Sequence, residues 1–189
     1  MIELIFVIVI IGILASVAIP KFLGVKDSAK KSAELATVSA VNTALDSAHG
    51  EWSINEGSFT WGRGRSSSEI NDTTGFPKEL GSDNDHPFNY IIKDDEANGF
   101  KKVFLGSGFD IYTGPASNAQ NGVKYPTDAP GNDINGKPDK NDFWIYAYAK
   151  DNCKVNCTNC NPKTLHYGDF VLIDVNGTSS TNYSTITCN

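Results

Sequence analysis

"IELIFVIVIIGILASVAIP", residues 2–20, decides how the rest of the chain is read. One carboxylate, Glu3, heads the run; from Leu4 to Ile19 nothing is charged, and Ser16 is the only hydroxyl. At roughly 1.5 Å per residue, a helix of this length just spans a hydrocarbon core of about 30 Å. A charge placed in hydrocarbon is costly, so Glu3 predicts a function for its carboxylate. An uncleaved anchor fits the run. A cleaved secretory peptide fits poorly, because it opens on basic residues and closes on a small-x-small site. Here Glu3 stands where a base belongs, and "SVAIPKF" (16–22) supplies no such site.

The helical pattern continues past Pro20. Residues 21–53 hold no further proline, and Gly24 is their one glycine before Gly50. Alanines at 29, 33, 36, 40, 44 and 48 recur every three or four residues, a smooth stripe that lets another backbone approach closely. A second seam runs through Val38, Val41, Leu45 and Trp52, while Lys26, Asp27, Lys30, Lys31, Glu34 and Asp46 fill other positions. One helix of about 50 residues, roughly 75 Å, is therefore expected. Its Val/Leu/Trp seam is assigned to the chain's own head. Its alanine stripe (Ala29, Ala33, Ala36, Ala40, Ala44) is assigned to other copies. The bland alternative is a single anchor followed by an amphipathic linker.

The chain has 189 residues and a formal net charge of −6, which suits one domain with an appendage and provides no basic footprint for nucleic acid. All four cysteines fall late, at 153, 157, 160 and 188, an even count that reads as extracytoplasmic disulfides. "CKVNCTNC" (153–160) also has the C-x₃-C-x₂-C spacing of the iron–sulfur motif in radical enzymes that use S-adenosylmethionine. That chemistry needs a reducing cytosol and a large barrel, and neither fits. Cys188 is expected to return to Cys157 or Cys160, closing a loop of about 30 residues for roughly 3–4 kcal/mol in the chain-entropy picture.

Beyond Gly50, turn residues dominate. "NEGSFTWGRGRSSSEINDTTGFP" (55–77) reads as irregular loop. Short strands are predicted at 88–92 (FNYII), 102–106 (KVFLG), 109–112 (FDIY), 143–149 (FWIYAYA) and 170–175 (FVLIDV), with FWIYAYA central because it is apolar on both faces. Strands in succession without intervening helices predict an antiparallel sheet, and with the helix an α+β fold. Three units follow: 1–20 apolar, 21–53 amphipathic helix, and 54–189 a β-rich head. The 20 aromatic residues read as core and subunit packing.

Residues 113–142 form a long Gly/Pro/Asn/Asp loop. Asp133, Asn135, Asp139 and Asp142 within it have oxygen-ligand spacing, but its glycine is misplaced for an EF-hand; calcium is the minor reading and a solvated turn the major one. Asn71 and Asn176 match an acidic-x-Asn-x-Ser/Thr pattern that a chain of this composition meets by chance. His49, His86 and His166 show no ligand spacing, and no nucleophile–base pair or phosphate loop is found. No enzyme activity and no cofactor are expected.

The N-terminal segment resembles that of type IV pilins and the related type II secretion pseudopilins. Glu3, Gly12 and Pro20 fall on that family's positions, and the resemblance covers about 25 residues. It implies a helix-plus-sheet pilin fold and a leader cut by a prepilin peptidase. It further implies N-terminal methylation, an inner-membrane pool, and a helical homopolymer built by a pilus assembly machine. Met1 stands where the family has the residue two before the glutamate, so the chain is expected to start two residues into the mature protein. Glu3 is then implied to meet the terminal amine of a neighbouring subunit. Such a pair sets register more than it adds strength, since breaking it costs roughly 3–5 kcal/mol. Gly12 and Pro20 are implied to bracket weak helix, with non-helical or strained backbone somewhere in 12–20. The reading is the major subunit of a type IV pilus. The alternatives are a type II secretion pseudopilin or, in another class, a monomeric membrane-anchored surface adhesin.

Overall fold

The structure is a computed structural model describing residues 2–55, 60–63, 66–93, 97–106, 108–117, 137–139, 142–149, 153–155, 160, 163–175 and 186–187. It is an α+β arrangement in which one long helix packs on an antiparallel sheet.

Helix α1 runs Ile2–Ile54 without interruption, about 80 Å at the standard rise. The expected break between Gly12 and Pro20 is therefore corrected: residues 12–20 are helical. One glycine costs about 1 kcal/mol and one proline about 3 kcal/mol, and neither outweighs the hydrogen bonds on both sides in a helix this long. Ser16 turns its hydroxyl back onto the Ile13 carbonyl at 2.7 Å, so this polar group is satisfied within the helix. Glu3 lies in the first turn, where the helix dipole favours a carboxylate. At the other end Asn55 closes the helix, its backbone N–H (3.0 Å) and side-chain Nδ2 (2.8 Å) both donating to the Glu51 carbonyl.

The main sheet has the order β3-β4-β5-β8, from Lys101–Leu105, Phe109–Thr113, Phe143–Ala147 and Phe170–Ile173, all antiparallel. Strand β5 is internal and buried along its whole length, as its two apolar faces require. Side chains alternate across the sheet. Tyr112, Trp144, Tyr146, Phe170 and Leu172 join Val38, Val41 and Leu45 of the helix in one core. Phe109, Ile111, Phe143, Ile145 and Ile173 form a second core on the opposite face. A small sheet, β7-β6-β9 (Thr164–Leu165, Cys153–Val155, Ile186–Thr187), covers that second face through Leu165, Val155 and Ile186. The sheet is thus covered on both sides, a layer more than the sequence predicts.

Two local readings are corrected. FNYII is not a strand: Ile91 and Ile92 donate their N–H groups to Phe88 O in a turn. The buried residues there are Phe88, Ile91 and Ile92, a spacing of three and four that belongs to a helical turn. The segment expected to be irregular contains a two-stranded hairpin, β1 (Thr60–Arg63) with β2 (Ser66–Glu69).

Candidate functional site

The feature that calls for a function is α1 itself, because its two halves are treated so differently. Ile2–Ile19 is long and apolar enough to cross a membrane, and none of it is buried against the rest of the chain. Glu3 is exposed in that stretch, and Gly12 has open space around it. Pro20 lies within the helix.

The C-terminal half is fastened to the head at three levels. Val38, Val41 and Leu45 are buried in the helix-side core, each stabilising by about 1.5–3 kcal/mol on the usual area scale. One turn above, Glu34 is fully buried. Its Oε2 accepts the backbone N–H of Ala116 (2.7 Å) and Ser117 (3.0 Å), and its Oε1 accepts Ser117 Oγ (2.5 Å) and Trp144 Nε1 (2.6 Å). Four donors, from the segment just after β4 and from β5, converge on one carboxylate. Gly114 makes the approach possible, since a Cβ there would overlap the Glu34 carboxyl. Asn98, at φ 48°, adds a bond from its Nδ2 to Thr37 Oγ1 at 2.8 Å. Near the helix end, His49 stacks on Phe76 with ring centroids 4.4 Å apart, and the Trp52 ring lies 5.7 Å from that of His49. Gly75, at φ 75°, sits directly against the His49 and Trp52 rings, where a Cβ would collide with both.

Glu34 is the functional residue that the sequence does not single out, since it falls among charges that merely fill the helix surface. A signal is nonetheless present. Continuing the seam of Leu45, Val41 and Val38 back by one turn lands on Glu34, which puts a carboxylate on an apolar stripe.

The alanine stripe divides. Ala29 and Ala36 are exposed and Ala33 half-buried, but Ala40 and Ala44 pack against the head's core and Ala48 is fully buried. Assigning Ala40 and Ala44 wholly to other copies is thus corrected: the head takes up part of that stripe, because its core reaches that far along the helix.

Cys153 and Cys160 are each disulfide-bonded. The expected return of Cys188 to Cys157 or Cys160 involves Cys157 and Cys188, which lie outside the described residues, as do Asp133, Asn135 and Asn176. Asp142 is fully buried, and both of its oxygens are used, Oδ2 by Asp139 N–H (2.9 Å) and Oδ1 by Val175 N–H (2.8 Å). Burial first, and then the neighbouring Asp139 and Asp174, push its carboxyl up to about 8 against the pull of those amides. Among the described residues no group of three or more His, Cys, Asp or Glu side chains is placed to hold a metal ion. Both ends of the Asn71 side chain are used, Oδ1 accepting Thr73 N–H at 3.0 Å and Nδ2 donating to the Tyr148 carbonyl at 3.4 Å. His86 Nδ1 lies 2.9 Å from Asp83 Oδ1, and His166 starts a turn by donating its N–H to Asp169 at 2.7 Å.

No family model, curated protein or solved structure matches the chain.

Proposed function

We propose that the chain is the major structural subunit of a type IV pilus, held in the inner membrane by Ile2–Ile19 and then polymerised through α1 into an extracellular helical filament. The observation that carries this reading is an apolar span wholly unburied by its own chain on the same unbroken helix that Glu34, Val41 and Leu45 fix to the head. A surface of this kind needs lipid or other apolar helices around it. A rigid fastening suits a subunit whose head must follow its helix from membrane to filament. In the bundle Glu3 would face low dielectric and take the terminal amine of a neighbour as partner. Prepilin peptidase and a pilus assembly machine are the partners this role requires.

The test is intact mass spectrometry and electron microscopy of material sheared from cells. Filaments whose subunit is heavier than this chain by a phenylalanine, one further residue and a methyl group support the reading. A protein of this chain's own mass, found only in membranes and without filaments, overturns it in favour of the anchored adhesin. Loss of filaments in Glu3→Gln, with the subunit still present in the membrane, assigns the register role to Glu3.

A further inference from the structure

Asp110 lies on the helix-side face of β4 and is 1 % exposed. Its Oδ2 receives only a long bond from Tyr112 OH, at 3.4 Å, and its Oδ1 is buried with no hydrogen-bond partner. A buried carboxylate in this condition is expensive when charged and tolerable when protonated. The cation beside it is Lys102 of β3, itself buried and opposite Tyr112 in the β3–β4 register. The Lys102 ammonium is directed elsewhere: Nζ donates to the Gly81 carbonyl at 3.2 Å. Gly81 is wedged against the backbone of His86, Pro87 and Phe88, so this bond ties the 79–90 segment to the sheet. A cleft lined by Glu79, Asp83, Asp85 and Lys102, among others, lies beside this segment.

We propose that Asp110, Lys102 and the Gly81 carbonyl form a protonation-controlled latch: neutral Asp110 leaves Lys102 on Gly81, and ionised Asp110 draws the ammonium away and frees the 79–90 segment. The groups facing Asp110 are Lys102 from β3, Tyr112 from its own strand, Tyr146 from β5, Tyr148 just after β5, and Glu79 from the segment itself. Lys102 is the only cation among them. Burial first raises the Asp110 carboxyl to about 6, with Lys102 opposing. An acid whose closed-state value is raised binds its proton more tightly when closed. Opening therefore increases as pH climbs from about 4 to about 6 and levels off above. Asp83 in the same segment is held down to about 2, chiefly by the His86 N–H, so it stays charged across this window.

Amide hydrogen exchange on the full chain in detergent micelles tests the latch, with rates corrected for the intrinsic chemistry of exchange. The reporters are Tyr90, Ile91 and Ile92, whose N–H groups bond within the segment. Opening is expected to increase up to about 100-fold between pH 4 and pH 7, while Ile145 in β5 changes far less. Asp110→Asn should abolish that step and keep the segment closed at both pH values. His86→Gln should retain it. A pH-independent wild type, a step that survives in Asp110→Asn, or a step that vanishes in His86→Gln overturns the proposal, the last assigning the effect to the Asp83–His86 pair. Should Asp110→Asn not fold, the carboxyl carbon resonance of Asp110 in the wild type decides: a midpoint that coincides with segment opening supports the latch, and one below pH 4.5 ends it.

Discussion

Ile2–Val25 and Glu34–Ala48 belong to one helix, yet they meet opposite surroundings. In the first stretch every large apolar side chain described is exposed, from Ile2 to Val25. The second buries Glu34, Val38, Val41, Leu45 and Ala48 against the head. Both are α-helical throughout, so helix formation does not separate them. What separates them is who supplies the partner atoms: the chain itself for one half, and something outside it for the other. A substitution should therefore register in head stability in the second half and be silent there in the first. Greasiness does not predict which half is which, because the residue packed most completely by polar contacts in the second half is a glutamate.

The largest break is expected at Glu34. Glu34→Ala strands four donors, including two backbone N–H groups and the Trp144 indole, and should cost the head about 3–5 kcal/mol in urea unfolding of the full chain. Trp144 fluorescence should report the loss, since its Nε1 bond disappears with the carboxylate. A cost under about 1 kcal/mol would mean that water replaces the carboxylate at no penalty and that the clamp is not a fastening. Next comes the pair Leu45→Ala and Leu14→Ala, the same chemical change in the two environments. The first should cost about 2–5 kcal/mol as a cavity opens. The second should lie within about 0.5 kcal/mol for the head and be felt only in membrane retention or assembly. Equal effects would erase the distinction between the halves.

A more gradual effect comes from pH. Asp142 has its folded value raised to about 8 by burial, so the folded state binds the extra proton and stability falls as pH rises from about 4 towards 8. The slope is at most about 1.4 kcal/mol per pH unit for one group. Urea midpoints at pH 4.5, 6 and 7.5 should decline in that order, and Asp142→Asn should flatten the part above pH 6. A midpoint that rises with pH instead would mean that the Asp139 and Val175 amides hold Asp142 charged despite its burial.

Much of this layout is legible in the amino-acid order. The helix announces itself through a continuous apolar run followed by stripes at helical spacing between Ala29 and Trp52, and β4, β5 and β8 through aromatic and β-branched runs. What stays hidden has physical causes. FNYII carries strand-forming residues, but its buried positions fall three and four apart, and tertiary packing of Phe88 overrides local preference. The hairpin of TWGR and SSSE lacks the apolar alternation that would mark it. The layer behind the sheet comes from strands of two and three residues, too short for any period to show. Glu34 is obscured because its donors sit more than 80 residues away, at Ala116, Ser117 and Trp144, and no local pattern reports a long-range carboxylate site. Asp110 is more readable: in FDIY it alternates onto the same face as Tyr112, which marks a carboxylate turned inward.

The finest test uses the stripe that the two environments share. Ala36 is exposed and Ala48 fully buried, twelve residues apart on one helix. Ala48→Leu should overpack the head and cost about 1–3 kcal/mol. Ala36→Leu should leave unfolding unchanged to within about 0.5 kcal/mol, since the added carbons meet solvent and leucine is nearly as good a helix former as alanine. Its effect belongs outside the chain, where a larger side chain holds a neighbouring helix away. The pairing to measure is thus head unfolding against filament yield for the same variant. Unchanged unfolding with reduced filaments places Ala36 on a surface between copies. Unchanged unfolding with full filament yield places the contact elsewhere on α1.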